Sequence, residues 1–582
     1  MKENAIMKNK FIKNIIARMS EDQKIGALLT LGMTGTIIRP HIRDSIIKYH
    51  CGGLRLTPIA RFFGSYVDPR SGKTVVDIND TKGFKKELPA PSVSVTQYAQ
   101  MLDELSALAA SRPLALPLHF SFDQEGGSSA DFSFGGVNIF PKPMGIRASG
   151  DPGLAYAVAK AAARQAKAAG FSWIHSPVLD INTDPLNPEI YTRAYSDRAE
   201  EVAEYAVKTC EGFKEEQLIA TGKHFPGRGD SAVDAHFEVP VIKAGRDTIM
   251  NRELLPYREL IKRDLLPSIM TAHSIFPAFD DTDIATVSKP IITGLLRDTL
   301  GFEGVITTDS MTMGGVAVRY GVPNACALSL EAGADLVLMK AENSLIGEVF
   351  NKIKEFVSAG RITEAELDKK VYRVLKVKYD NGLFSPQLRE DPQDVLNDPG
   401  IIALSRHMAK RSVLVIKNRD LPLQKTGKVL IVEQIGKTPN DSFWHPGIMY
   451  KNCLKYTAAD YLETDFTFDE NDRERILQNI PRYDSVVITS FYMRGKLSNN
   501  EFIEELLVKF NAAGSPKIIV ITNTPYPISV PKNCPNLIIS LATSPANMEV
   551  CAGVLFGEEH AEGQWPVEWQ METGADRIRT DA

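Results

Sequence analysis

Hydrophobic and polar positions follow two alternating patterns along the first part of the chain. Between about residues 25 and 380, short apolar runs alternate with longer stretches whose apolar residues recur every three to four positions. These patterns predict buried strands and amphipathic helices, respectively. The predicted strands are 27–32, 52–56, 116–122, 172–181, 218–224, 268–273, 304–309 and 335–339. The predicted helices include 153–169, 198–216, 247–264, 323–333 and 342–357. Eight such strands favour a (β/α)8 TIM-type barrel, although an open doubly wound sheet would give the same alternation.

A second region follows a polar, proline-rich segment at 383–400. Beyond it the predicted strands are 428–433, 484–490, 517–522 and 536–541, and the predicted helices include 500–513 and 545–556. This alternation predicts a smaller α/β sandwich domain. We therefore expect a catalytic barrel domain over 1–382, a linker over 383–402 and a sandwich domain over 403–582. The segment 57–93 is too long for an ordinary loop, so we expect it to be either functional or mobile.

Composition narrows the classes of function. The chain has 582 residues, of which 43% are apolar and 24% charged, as expected of a globular protein with large cores. Its formal charge of -5 is spread along the chain without a basic block, which argues against nucleic acid or an anionic membrane surface as a partner. No stretch approaches the roughly 18 apolar residues of a membrane span. A small-molecule or oligomeric substrate fits better, and no oligomeric state is indicated.

Two features of the sequence indicate the cellular compartment of the protein. Polar residues interrupt the apolar positions Phe11, Ile12, Ile15 and Ile16 near the N-terminus, unlike the continuous apolar region of a signal peptide. The six cysteines lie far apart without a CxxC spacing, which is typical of reduced, buried thiols. We expect a cytoplasmic protein, or a secreted one if a leader has been removed.

Polar residues close several of the predicted strands. Active sites of (β/α)8 barrels lie at the C-terminal ends of the strands, so these residues are the first candidates for chemistry. They are Asp123, Asp180, Lys223, His224, His273 and Asp309. Asp309 ends the run Gly-Val-Ile-Thr-Thr, and a carboxylate there can attack an anomeric carbon. The alternative for Asp309 is the N-cap of a following helix.

The densest group of polar residues is 223–236, Lys-His-Phe-Pro-Gly-Arg-Gly-Asp-Ser-Ala-Val-Asp-Ala-His. Its proline and glycines permit a sharp, mobile loop. Asp234 and His236 stand two residues apart, so in an extended segment their side chains project to one side. The carboxylate would then fix the imidazole tautomer and leave the other ring nitrogen to exchange a proton with substrate. Such a pair is also common in solvated loops.

Asp123, from the strand ends above, and Arg193 are candidates for binding a sugar. Asp123 opens Asp-Gln-Glu-Gly-Gly, where it can accept hydrogen bonds from neighbouring hydroxyls or form part of an ordinary turn. Arg193 offers fixed donors for ring hydroxyls or an acetamido carbonyl, or it is a surface residue. His175, His224, His273 and Asp180 would instead suit a metal, but no His-x-His or His-x-x-x-His pair supports this. We expect no metal and no cofactor.

Taken in order, these motifs resemble one family. Lys-His-Phe-Pro-Gly-x-Gly-Asp followed by Asp-x-His is similar to the signature of the N-acetylglucosaminidase branch of glycoside hydrolase family 3. The blocks at 123–127, 176–180, 271–273, 301–309, 411–418 and 563–567 also resemble that family, so the resemblance covers nearly the whole chain apart from 57–93. The chain departs from the branch at Arg228, where histidine is common, and at 128–131, where an arginine-containing stretch usually follows Glu-Gly-Gly.

The resemblance implies a retaining, exo-acting β-N-acetylglucosaminidase that acts on a small carbohydrate such as an N-acetylglucosamine oligosaccharide or a cell-wall fragment. It implies Asp309 as nucleophile and His236, oriented by Asp234, as acid/base. It also implies a sugar pocket lined by Asp123, Arg193, Lys223, His224 and His273. Other members use a glutamate of the second domain as acid/base, for which Glu558 and Glu559 are nominal candidates. A phosphorylase, a β-glucosidase or β-xylosidase, a metal-dependent barrel hydrolase and a non-catalytic sugar-binding protein remain alternatives.

Overall fold

The computed structural model describes residues 2–58, 93–235, 238–340, 345–385, 388–434 and 447–570, with side chains from residue 6 onwards. It also gives the backbone of two short paired strands, Ser65–Val67 and Thr74–Val76. Most of the segment 57–93 lies outside the described residues, as does His236.

The first domain is a closed barrel of eight parallel strands arranged in chain order. They are β1 (Leu29–Thr34), β2 (Gly53–Thr57), β3 (His119–Phe122), β4 (Trp173–Ile174), β5 (Ile219–Phe225), β6 (Ser268–Thr271), β7 (Val305–Ser310) and β8 (Leu336–Met339). β8 pairs back onto β1, which confirms the predicted barrel and excludes the open sheet.

Strand β4 is much shorter than the predicted run 172–181. After Ile174 the chain leaves the ladder, and further along only an isolated bridge joins Val178 to Lys223 of β5. Pro177 lies between them and has no N–H to donate to a neighbouring strand. The apolar run therefore continues past the end of the strand and carries the chain towards Asp180.

Helices surround the barrel. The described ones are Lys2–Ile16, Glu21–Ala27, Pro40–Ile47, Val95–Ala110, Pro143–Arg147, Pro152–Ala168, Ala199–Glu215, Gly314–Tyr320, Val322–Ala332, Ile346–Ser358 and Glu364–Asp380, with a π-helix at Pro290–Thr299. The predicted helix 247–264 is divided into Arg246–Thr248, a π-helical turn Ile249–Glu253 and Leu255–Lys262. Pro256 sits at the start of the last segment, where its missing N–H is tolerated.

The second domain contains a six-stranded sheet formed by β9 (Leu414–Asn418), β10 (Val429–Gln434), β11 (Ala459–Thr464), β12 (Ser485–Thr489), β13 (Lys517–Thr522) and β14 (Asn536–Ile539). Their order is β9-β14-β13-β12-β10-β11, and only β9 is antiparallel to its neighbour. Alternate residues of β10 enter two cores, Leu430 and Val432 on one face and Val429 and Ile431 on the other. The predicted α/β sandwich is therefore confirmed. Its described helices are Pro399–Ser412, Ile448–Cys453, Glu470–Asn479, Asn500–Lys509 and Pro545–Leu555.

The two strands that the sequence did not predict, β9 and β11, are the edges of this sheet. β9 carries the apolar run Leu414-Val415-Ile416, a strand signal that was overlooked. For β11 the reason is that an edge strand is covered less completely than a central one, so its apolar pattern is weaker. β11 illustrates this, because only Leu462 and Thr464 of its six residues are buried.

The two domains share a core. Met144, Ala148 and Tyr191 from the barrel domain pack into one of the cores of the sandwich. The C-terminal segment binds the barrel through backbone groups, since Gln564 N–H donates to the Ala148 carbonyl at 2.7 Å. Between the domains, the span 383–402 contains the helix Pro392–Leu396 and the start of Pro399–Ser412.

Two further observations concern the described part of the chain. All six cysteines are buried and unpaired. No described helix has both the length and the hydropathy that a bilayer crossing requires.

Candidate active site

The polar residues at the strand ends meet at the C-terminal mouth of the barrel. Lys223 Nζ lies 3.1 Å from Asp123 Oδ1, which joins the ends of β5 and β3. His224 Nε2 lies 3.8 Å from Asp309 Oδ2, which joins β5 to β7. Strand-end residues that are far apart in sequence thus form one site, as parallel barrel geometry requires.

Asp309 lies near the end of β7 and its side chain is 16% exposed. Its Oδ1 accepts the N–H of Ser310 at 2.7 Å. Its Oδ2 is 3.7 Å from Arg228 Nη2. A guanidinium this close stabilises negative charge on the carboxylate, and the partial exposure leaves room for a reacting atom to approach. Asp309 begins no helix here, because the next helix is Gly314–Tyr320.

Asp123 stands at the centre of a cluster of cations. Its Oδ2 is 2.5 Å from the buried Arg55 and 3.3 Å from Lys340, while Lys223 contacts its other oxygen. Burial alone would raise the pKa of Asp123, but Arg55, Lys223 and Lys340 outweigh it and hold that pKa well below its ordinary value. Asp123 is therefore an ionised acceptor at neutral pH. Asp131 shares Arg55 with it, also at 2.5 Å.

Arg193 is held by the buried carboxylate of Glu125 instead of lying on the surface. Its Nε and Nη2 donate to the two oxygens of Glu125 at 2.7 and 3.0 Å. Lys223 also contacts Glu125, at 2.5 Å. Burial opposes ionisation of Glu125, but these two cations lower its pKa overall. Such a bidentate pair fixes the guanidinium, as a binding site for a planar or hydroxylated group requires.

The two predicted histidines are fixed in different ways. His224 Nδ1 is 2.7 Å from Asp180 Oδ2, and burial lowers the pKa of the imidazole. His273 has hydrogen-bond partners at both ring nitrogens, Thr286 Oγ1 at 2.8 Å and the Ser310 carbonyl at 3.1 Å. Burial lowers the pKa of His273 to about 4, so its ring is neutral. His273 therefore supports the end of β7 next to Asp309.

The loop after β5 carries Asp234, which is buried. The backbone N–H of Ala235, between the two predicted proton-transfer residues, donates to Glu189 Oε2 at 3.1 Å. His236 itself lies outside the described residues, so the geometry of the Asp234/His236 pair stays a prediction. Gly229 lies very close to the segment that follows β4, because a Cβ added at Gly229 would lie 1.7 Å from the Ile181 carbonyl oxygen. Only glycine fits that approach.

Several residues of the site were missed by sequence reasoning: Arg55, Glu125, Asp131, Glu189, Lys340 and Arg494. Lys340 directly follows β8, so the rule that identified Asp123 would also have found it. Arg55 is a lone cation in a buried strand, which is a further detectable signal. Glu189 and Arg494 lie in loops with no local pattern to distinguish them.

The glutamates of the second domain that the resemblance suggested have other contacts. Glu559 Oε2 lies 2.5 Å from Lys410, and Glu558 pairs with Lys425. Both are therefore engaged within the second domain. Arg494 of the second domain does reach this site, with its Nε 3.7 Å from Asp234 Oδ2.

The imidazoles do not converge on one point. His175 faces Asp123 at 3.4 Å, whereas His224 and His273 contact Asp180 and Thr286. Within the described ranges, no group of three or more His, Cys, Asp or Glu side chains has an arrangement that could hold a metal ion.

Comparison with known proteins gives three kinds of match. A family model described as the N-terminal domain of glycosyl hydrolase family 3 matches residues 22–377. Beta-hexosaminidase A of Pseudoalteromonas piscicida is 28% identical over 358 residues, which are 58% of this chain and 60% of that protein. Beta-hexosaminidase of Alkalilimnicola ehrlichii is 34% identical over 262 residues, 44% of this chain and 72% of that protein.

One solved structure matches over almost its full length. It is a glycoside hydrolase family 3 beta-N-acetylglucosaminidase from Paenibacillus sp. str. FPU-7, with a TM-score of 0.80 and 27% sequence identity. The match covers 94% of this chain and 99% of that one, so it includes both domains.

Proposed function

Because the chain belongs to glycosyl hydrolase family 3, we propose that it is a retaining, exo-acting β-N-acetylglucosaminidase. The observation that carries the proposal is Asp309, a partly exposed carboxylate at the barrel mouth with Arg228 Nη2 3.7 Å from its Oδ2. The names of the relatives, two beta-hexosaminidases and a beta-N-acetylglucosaminidase, support an N-acetylated amino sugar as the substrate.

The proposed reaction has two displacements. Asp309 attacks the anomeric carbon while the bond to the leaving oxygen breaks and His236 donates a proton to that oxygen. The covalent glycosyl-enzyme is then attacked by water, which gives its proton to His236 and restores the carboxylate of Asp309. Two inversions leave the anomeric configuration unchanged.

The polar side chains at the barrel mouth suit a sugar with free hydroxyls. Asp123 is ionised and can accept hydrogen bonds from neighbouring hydroxyls, and Lys223 supplies a donor next to it. Arg193 supplies further donors on Glu125, which Lys223 also contacts. When it is ionised, Asp180 can accept hydrogen bonds but cannot donate them, so the proton of this pair lies on the Nδ1 of His224. The Nε2 of His224 is then an acceptor, and it faces Asp309. We assign Asp123, Arg193, Lys223 and His224 to binding of the non-reducing sugar. We assign His273 to support of the strand end that carries Asp309.

A panel of p-nitrophenyl β-glycosides, run with and without inorganic phosphate, tests the proposal. The expected result is release from the N-acetylglucosaminide that needs no phosphate and is abolished in Asp309→Asn. The matched control is Asp298→Asn, an exposed aspartate on the helix that precedes β7, which should keep full activity.

Other outcomes would select the alternatives. Release from glucosides or xylosides alone would replace the substrate and keep Asp309. A requirement for phosphate, with a sugar phosphate as product, would make the protein a phosphorylase. Inhibition by chelators would favour a metal-dependent hydrolase, and binding of N-acetylglucosamine without release from any glycoside would favour a sugar-binding protein.

A further inference from the structure

Glu189 is a buried carboxylate on which several parts of the molecule converge. It is 2% exposed, and its Oε2 accepts the N–H of Ala235 at 3.1 Å. Its Oε1 lies 2.9 Å from Arg228 Nη2, 3.8 Å from Arg193 Nη1 and 3.9 Å from Arg494 Nη1. Because Ala235 directly follows Asp234, Glu189 holds the loop backbone next to this member of the proposed proton-transfer pair.

The segment that carries Glu189 is tied to the same loop at a second point. Asn187 Oδ1 accepts the N–H groups of Glu189 and Ile190 at 2.9 and 2.8 Å, which fixes the turn. Its Nδ2 donates to the carbonyls of Arg228 and Gly229 at 3.2 and 3.1 Å. The turn at 187–190 and the loop at 228–235 therefore form one hydrogen-bonded unit.

The second domain holds this unit from outside. Tyr492, which follows β12, donates through its hydroxyl to the carbonyl of Pro188 at 2.8 Å. The backbone of Tyr492 is fixed in turn by Asn523, which accepts its N–H at 2.8 Å and donates to its carbonyl at 3.0 Å. The segment after β12 thus contacts the turn that carries Glu189.

Arg494 lies between two anions. Its Nη1 is 3.9 Å from Glu189 and its Nε is 3.7 Å from Asp234, and both carboxylates are buried. Like charges that converge repel each other, and a guanidinium between them offsets the repulsion. Since Arg494 is 37% exposed, solvent screens these pairs, and we expect their contribution to overall stability to be small.

We propose that Arg494 and Glu189 are positioning residues through which the second domain places the Asp234/His236 segment for proton transfer. This inference rests on the proposed function, because it assigns His236 the role of acid/base. It gives the second domain a part in the reaction although no residue of that domain is assigned to the chemistry.

Substrates that differ in leaving group test the proposal. A nitrophenolate leaves with little proton assistance, whereas an alkyl or sugar alcohol needs it. Arg494→Ala should lower kcat/KM for the methyl glycoside and for chitobiose by about tenfold or more, and for the p-nitrophenyl glycoside by about twofold or less. Arg494→Lys should recover part of the loss. Arg482→Ala, an exposed arginine near the opposite end of β12, should change neither.

Hydrogen exchange gives a readout that does not depend on activity. Peptides covering 228–240 should exchange faster in Arg494→Ala and in Glu189→Gln than in the wild type or in Arg482→Ala. Equal losses on all leaving groups, or unchanged exchange in that loop, would overturn the inference. If the wild type releases sugar from none of these substrates, the proposed function fails, and the exchange measurement alone decides whether the second domain positions the loop.

Discussion

His224 and Asp180 form a buried pair, with the imidazole Nδ1 2.7 Å from the carboxylate Oδ2. The other oxygen of Asp180 accepts the N–H of Arg228 at 2.8 Å, so one carboxylate orients both groups that flank Asp309. Asp180 follows β4, and the two groups it orients belong to β5 and the loop after it. The site is thus organised by contacts between neighbouring barrel units.

Asp180→Asn should lower kcat by about tenfold or more. Both oxygens of Asp180 accept a hydrogen bond, one from His224 and one from the Arg228 N–H, whereas the amide of asparagine has a single acceptor oxygen. The variant therefore loses one of the two hydrogen bonds in either orientation of its amide. We expect KM for the nitrophenyl glycoside to change less than kcat. An unchanged kcat in a folded variant would show that the pair does not orient the site.

Asp123→Asn should weaken sugar binding. The substitution removes an ionised acceptor and leaves Arg55, Lys223 and Lys340 facing a neutral group. A hydrogen bond to a charged group contributes about 1.5–3 kcal/mol, which corresponds to a decrease of roughly 10- to 100-fold in kcat/KM. Steady-state kinetics measures it, with Asp298→Asn as the unchanged control.

Gly229→Ala should displace the loop that carries Asp234. The added Cβ would lie 1.7 Å from the Ile181 carbonyl oxygen, and a backbone atom cannot move away as a side-chain end can. Overpacking of this kind costs about 1–3 kcal/mol, so both the melting temperature and kcat should fall. Gly245→Ala is the matched control, because nothing lies within 4 Å of a Cβ there. Equal behaviour of the two variants would contradict the assigned close approach.

Glu253 should make stability depend on pH. Its Oε2 is close enough to Gly227, in the loop after β5, to contact a Cβ added there. Burial raises the pKa of Glu253 to about 7, although Arg252 opposes this. Because the folded pKa is raised above the ordinary 4.5, the stabilising contribution is complete below 4.5 and is lost as the pH rises through about 7.

The variant Glu253→Gln removes this titration. Relative to the wild type, its free energy of unfolding should increase by roughly 2–3 kcal/mol between about pH 5 and about pH 8. Denaturant unfolding at the two pH values measures the difference. A wild type and variant that keep the same difference at both pH values would show that Glu253 does not titrate in this range.

Sequence reasoning predicted the parts of the site that follow from local pattern. Asp123, Lys223, His224 and Asp309 end apolar runs, and the barrel rule places such ends together. Edge strand β11 was missed because solvent weakens its apolar pattern, whereas the apolar run Leu414-Val415-Ile416 of β9 was a signal that was overlooked.

The arrangement around Glu189 could not be predicted in the same way. Its partners Arg228 and Ala235 lie in the loop after β5, whereas Arg494 lies in a loop of the other domain. No spacing along the chain encodes such a meeting. It arises from the packing of the sandwich onto the barrel, which only the three-dimensional structure provides.

The most direct test of the central claim is to trap the glycosyl-enzyme. A 5-fluoro-N-acetylglucosaminyl fluoride should transfer its sugar to the nucleophile as fluoride leaves, and slow hydrolysis should let the ester accumulate. Peptide mass spectrometry should then find the sugar on Asp309 and none in Asp309→Asn. A sugar attached to another carboxylate, such as Asp123, or turnover with inversion and no adduct, would contradict the account.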